Sequence, residues 1–139
     1  MPSQTALIVR TIGEPVTLDT NWPIPTPGPK QIQVRVTVAG LNPHDQKSRD
    51  IGLFIKDSLP AILGSDVVSV VTVLGESVSR FKVGDRVFGQ SSIVGSDSKA
   101  LQEYTVLNEN FAAHVPLNWS GDEAATVPTN LLAGECLNP

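Results

Sequence analysis

The sequence predicts a mainly β chain, an irregular antiparallel fold carrying one or two short helices and a C-terminal helix. Three observations predict it. In QIQVRVTV, residues 31–38, Ile32, Val34, Val36 and Val38 fall on one face and Gln31, Gln33, Arg35 and Thr37 on the other. A period of two with β-branched residues on the apolar side marks a strand that buries one face of an antiparallel sheet. VVSVVTVLG, residues 67–75, is a continuous apolar, β-branched run that reads as a mostly buried strand. Eleven glycines and eleven prolines are scattered along 139 residues, and so many turns leave room only for short strands.

The elements follow in order. TALIVR (5–10) and EPVTLDT (14–20) read as two short strands separated at TIGE. NWPIPTPGPKQ (21–31) is a proline-rich turn segment, because proline lacks the donor that a helix interior or a central strand needs. Gly40 ends the alternating strand. Asn42 then suits a helix N-cap, with Pro43 at the first helical position, where its missing N–H costs nothing. The helix has room for no more than two turns. ESVSRFKVGDRVFG (76–89) holds a tight turn at Gly84–Asp85 and a short strand after it. SSIVGSDSKA (91–100), small and polar, is expected to be a mobile surface loop. LQEYTVL (101–107) and FAAHVPL (111–117) give two further strands. Ser120 and Glu123 form a capping box, and Asp122 favours the positive helix N-terminus. Pro128 predicts that this helix kinks or restarts near Val127.

A chain of 139 residues is most simply one domain, able to bury about two thirds of its unfolded surface. Fourteen acidic against ten basic residues, a net charge of −4, argue against nucleic acid or an anionic membrane as partner. Cys136 is the single cysteine, so the sequence has no internal disulfide framework and no Cys-rich zinc site; it reads as a small apolar residue. The first residues lack a basic stretch followed by a long apolar run, and no stretch approaches transmembrane length, so a cytoplasmic location is the expectation.

Chemistry-bearing residues crowd into AGLNPHDQKSRD, residues 39–50. Asp45 and Lys47 stand two apart and so do not face each other on a helix; a solvated helix face accounts for both without chemistry. His44 has no nucleophile or carboxylate placed by sequence as its partner, and reads as a surface or half-buried histidine. His114 reads as an outward strand residue. Asp66 is one carboxylate without His or Cys company, better suited to accepting hydrogen bonds from nearby backbone amides than to holding a metal.

AGLNPHDQK (39–47), LPAILGSDVVSVVTVLGESVSRFKVGDRVFG (59–89) and LQEYTVLNENFAAHVPLNWSGDEAATVP (101–128) stand in the order and spacing of the N-terminal domain of medium-chain dehydrogenase/reductases. The chain resembles that domain from about Ala6 to Leu132, most specifically at Gly64, Gly75, Gly84, Asp85, Arg86 and Val87. The resemblance implies a GroES-like β-barrel over residues 1–127, with 128–139 as the start of a helix linking to a Rossmann domain. That nucleotide-binding domain is expected to be absent, since no Gly-rich strand-to-helix turn occurs. Where zinc enzymes of the family carry Cys and His-Glu, this chain has Asn42 and Ser65–Asp66, and GQSSIVGSDSKA replaces the four-cysteine lobe. An amide and a hydroxyl are poor zinc ligands, so no metal site is expected.

LNPxDxK is similar to zinc-independent quinone oxidoreductases and, more closely, to fungal trans-acting enoyl reductases of secondary metabolism. What this implies is hydride transfer from NADPH to a carbon–carbon double bond conjugated to a carbonyl, on a small-molecule or carrier-bound acyl substrate. Lys47 would be the catalytic residue, as electrostatic stabiliser or proton donor, with Asn42 and Asp45 near the cofactor. The Thr-Ala pair that related chains place near the nicotinamide corresponds to Ala133 and Gly134. The chain alone is expected to be inactive, with uncovered strand edge and apolar surface that would permit self-association. The alternative is a non-catalytic truncated remnant serving as a binding or structural module.

Overall fold

In a computed structural model that describes residues 2–92 and 95–135, the larger sheet is built around β3 (Gln31–Gly40). Its alternation does what the pattern predicts: Ile32 and Val34 are fully buried, packed with Val67, Val71, Val87 and Leu107. Each such side chain contributes about 1.5–3 kcal/mol by leaving water. Antiparallel neighbours flank β3 on both sides, namely β5 (Asp66–Leu74) and β7 (Tyr104–Asn108). With β6 (Arg86–Gln90) and β8 (Ala112–His114) the sheet order is β7-β3-β5-β6-β8. The register of β3 against β5 shifts between Gln33 and Val34 and again between Val36 and Val38. Such irregularities bend a strand and re-aim its side chains. Val36 therefore stays with the main core, while Val38 joins Val68, Val115, Ala124 and Trp119.

A smaller sheet has the order β2-β1-β4, with β1 at Ser3–Val9, β2 at Thr17–Pro23 and β4 at Ala61–Ile62. β2 begins later than the sequence pattern suggests and runs into the proline-rich segment, where Trp22 pairs with Gln4 and Pro23 with Ser3. Pro23 is tolerated because β2 is an edge strand, so its missing N–H breaks no ladder. Residues 101–103 sew the sheets together: Leu7 N–H donates to the Leu101 carbonyl at 2.9 Å, Glu103 N–H to Thr5 at 3.2 Å, and Val36 N–H to Glu103 at 2.8 Å. The architecture is mainly β, two antiparallel sheets rather than one closed cylinder.

The helices are short. α1 spans Pro43–Ile51, α2 Gly121–Ala125 and α3 Pro128–Glu135. The helical path breaks between α2 and α3 at Thr126–Val127, ahead of Pro128, as expected. Ser120 and Glu123 form the predicted capping box, with Glu123 N–H donating to Ser120 Oγ at 3.1 Å and Ser120 N–H to Glu123 Oε2 at 2.8 Å. No helix among the described residues is long and apolar enough to cross a membrane. Cys136 lies outside the described residues, and the surroundings of Ala133 and Gly134 are likewise not described.

The described residues of 91–100 are the surface loop that their polarity suggests at Ser92, Gly95 and Asp97, which are exposed, and depart from it at the ends. Ser91, Lys99 and Ala100 are buried. The segment is fastened by Ala100 N–H to the Gly64 carbonyl at 3.0 Å, and by Gln102 Nε2, which donates to the carbonyls of Ser96 and Lys99 at 2.7 and 2.9 Å.

Candidate functional site, a lysine-bearing cleft beside α1

Asn42 stands at the N-cap of α1 in extended backbone, followed by Pro43 at the first helical position. Asp45, one turn in, folds its carboxylate back so that Oδ2 accepts from Asn42 N–H at 2.8 Å. Its Oδ1 accepts from Gly64 N–H at 2.9 Å. Both oxygens are spent inside the protein, and Asp45 is 6% exposed. Gly64 can present that N–H because its φ is +93°, a region in which L side chains are strained. A Cβ there would also lie 2.9 Å from that of Ala100.

Asn42 Nδ2 donates to Asp66 Oδ2 at 3.0 Å. The other oxygen of Asp66 accepts from Thr129 N–H at 2.9 Å and Thr129 Oγ1 at 2.6 Å, and Gln90 Nε2 reaches Thr129 Oγ1 at 3.2 Å. One of Asp66's three donors is thus a backbone amide, as expected, and two are side chains. The network ties α1, β5, β6 and α3 into one frame. Asn42 and Asp66 are thus hydrogen-bonded to each other.

In front of this frame lies a cleft of about 360 Å³. Leu53, Ile55 and Leu63 give it an apolar wall, while Lys47, His44, Ser65 and Lys99 contribute polar groups. Of the three residues singled out from the sequence, Lys47 and Asp45 line the cleft, and Asn42 sits behind it through Asp66. Lys47 is exposed, and its ammonium makes no hydrogen bond or ion pair among the described residues. His44 is half-buried, as expected, but it does have a partner: its Nε2 lies 2.7 Å from Ser65 Oγ and 3.8 Å from Asp45 Oδ1. Ser65 is 21 residues away, across a turn that local spacing does not resolve.

Lys99 is the cleft residue that sequence reasoning missed. It is 8% exposed, and its Nζ donates to the Ser92 carbonyl at 2.7 Å and to Ser91 Oγ at 3.4 Å. Burial pushes its pKa down, opposed by the negative charge of Asp45. The available signal was a lone lysine leading directly into apolar Ala100–Leu101. His114 faces outward as predicted, away from the cleft, 3.0 Å from Asp85 and stacked 4.9 Å from the Phe81 ring. Among the described residues no three His, Cys, Asp or Glu side chains gather as a metal-binding group. Two ammonium groups beside an apolar wall are chemically suited to an oxyanion.

Comparison with known proteins gives a consistent set of relatives. The family described as alcohol dehydrogenase GroES-like domain matches residues 28–117. The dehydrogenase pigH of Monascus ruber is 38% identical over 117 residues, covering 78% of this chain and 31% of that protein. The enoyl reductase component lovC of lovastatin nonaketide synthase from Aspergillus terreus is 35% identical over 133 residues, covering 94% of this chain and 35% of that protein. Among solved structures, the quinone oxidoreductase from Coxiella burnetii superposes with a TM-score of 0.86 at 27% identity, covering 97% of this chain and 44% of that one. The chain spans about a third of the length of the curated relatives it matches.

Proposed function

The chain belongs to the alcohol dehydrogenase GroES-like domain family, and from that premise we propose that it is the N-terminal catalytic domain of a zinc-independent, NADPH-dependent oxidoreductase. The substrate class is an α,β-unsaturated carbonyl of enoyl or quinone type, small or carrier-bound. The observation that carries this reading is Lys47, an unpartnered ammonium beside an apolar wall. Enoyl reductases and quinone oxidoreductases among the relatives support the reaction class; a place in secondary metabolism and a cytoplasmic location belong to the same proposal.

Bound NADPH would supply a hydride to the β-carbon of the acceptor. Lys47 would hold the acceptor's carbonyl oxygen while negative charge develops there, and could return a proton to the resulting enolate. Asp45 serves this by positioning: its two hydrogen bonds fix α1 against the Gly64 turn and so fix where Lys47 emerges. The residues present fit only the nicotinamide end of the cofactor, through the Asn42 amide and Thr129 hydroxyl that Asp66 orients. A pyrophosphate needs a Gly-rich turn at a helix N-terminus, which the sequence lacks, so the cofactor's other end would be held by the remainder of a longer protein. The 139 residues alone would be inactive. Zinc independence rests on donor chemistry: an amide, a hydroxyl and one carboxylate, each already hydrogen-bonded, stand where thiolate and imidazole would be needed.

The decisive variant is Lys47→Ala in the enzyme that carries this chain. Turnover of an α,β-unsaturated ketone should fall about 100-fold, the scale of losing one oxyanion donor, with NADPH affinity nearly unchanged. Equal turnover would remove Lys47 from the mechanism, and absence of turnover in the wild-type protein would favour a non-catalytic binding module. Tight NADPH binding by the 139-residue chain alone, followed by nicotinamide fluorescence, would overturn the assignment of the cofactor site to a further domain.

A further inference from the structure

Burying a lysine is costly, because an ammonium taken out of water loses several kcal/mol of solvation unless the protein replaces it. At Lys99 the replacement is incomplete. The ammonium has three donors and two acceptors, the Ser92 carbonyl and the Ser91 hydroxyl, neither of them an anion. Among the described residues it forms no ion pair with Asp45, the one carboxylate lining the cleft there, whose oxygens are taken by the N–H groups of Asn42 and Gly64. Lys47 and Lys99 therefore give the cleft more positive than negative charge, next to the apolar wall of Leu53, Ile55 and Leu63. Fastening the 91–100 segment does not account for the charge, since an amide side chain could donate to the same carbonyl without the cost of burying a cation.

We propose that Lys99 is a ligand-binding residue of this cleft, its third N–H donating to an oxyanion at the end of an apolar, conjugated ligand. The chemistry is that of the carboxylate of an α,β-unsaturated acid, or of the enolate formed from its carbonyl counterpart. The conjugated body of the ligand rests on the reductase reading; the anion site rests on Lys99 alone.

Crotonate is the probe, crotonamide its neutral counterpart, and chloride at matched ionic strength the control for screening. In the protein labelled with ¹⁵N at lysine Nζ, crotonate should move the Lys99 signal saturably, and crotonamide and chloride should not. Lys99→Met should weaken crotonate binding about tenfold, the scale of one charge-assisted hydrogen bond, read on the Gly64 amide. A Lys99 signal that stays still, an equal shift with chloride, or unchanged affinity in Lys99→Met would each overturn the proposal. Should Lys99→Met fail to fold, the wild-type signal decides alone. A still Lys99 signal together with a large Lys47→Ala effect on turnover would remove this inference and leave the reductase reading. A moving Lys99 signal in a wild-type protein that turns over no α,β-unsaturated ketone would remove the reductase reading and leave an anion site.

Discussion

Ser69 turns its hydroxyl into the interior of β5, 1% exposed, with no hydrogen-bond partner for its Oγ among the described residues. A buried hydroxyl left unsatisfied costs about 1–3 kcal/mol, and an apolar residue in its place loses nothing. Ser69→Ala should therefore leave the urea midpoint unchanged or raise it. A fall of about 1 kcal/mol or more would show that the hydroxyl is satisfied after all. The two lysines of the cleft show where residue-level reading succeeds and stops. Lys47 stands on a short helix whose cap, Asn42–Pro43, is written locally, so its position could be read and its role drawn from a family resemblance. Lys99 is buried because Gln102 Nε2 gathers the carbonyls of Ser96 and Lys99, while Gln102 is itself held by Gln4 Nε2 at 2.9 Å from 98 residues away. No local pattern encodes that. His44 is half-buried as its reading had it, but its partner Ser65 is brought by the fold.

At the scale of the element, the turn at Gly64 is where the cleft is assembled, since its N–H holds Asp45 and its carbonyl holds Ala100. Gly64→Ala puts a side chain at φ +93° and 2.9 Å from Ala100 Cβ. It should cost at least about 1 kcal/mol in urea unfolding and displace the backbone signals of residues 99–101. Wild-type stability with unmoved signals would show the turn to be more compliant than its contacts imply. Strand legibility followed the source of each strand's stability. β3 and β5 carry their own apolar patterns and were readable. β4 has two residues, Ala61 and Ile62, fixed by pairing with Val9 and Ile8, and nothing in LPAILGSD announces that. β2 runs through Pro23 only because it lies at an edge, a fact of topology rather than of composition.

For the molecule as a whole, three carboxylates held by backbone N–H groups link folding to acid. Backbone N–H groups of Ser79 and Arg80 hold Glu109 below the ordinary glutamate value of 4.5, with burial opposing. The N–H groups of Lys82 and Ser120 do the same for Asp85, ordinarily 3.8, and for Glu123, ordinarily 4.5, helped by His114 and by the Ser120 hydroxyl. A carboxyl held low binds its proton less readily in the folded than in the unfolded state. Its contribution is fully present above 4.5 and drains as pH falls through the lowered native value. Urea midpoints should be flat from pH 7 toward 5 and fall below about 4.5, and Glu109→Gln should flatten part of that fall; an unaltered acid limb would show that its bonds do not contribute. The order in which the chain can assemble follows from residues 101–103 lying between the sheets. Thr5 N–H donates to the side chain of Glu103 across 98 positions of sequence. A ribosome extends the chain by roughly 5–20 residues per second, so the first strand waits roughly 5–20 s for the segment that completes its pairing. Until then β1 has beside it only β2 and, once residues 61–62 are made, the two-residue β4, so the backbone of Thr5 and Leu7 that residues 101–103 will bond stays open to water.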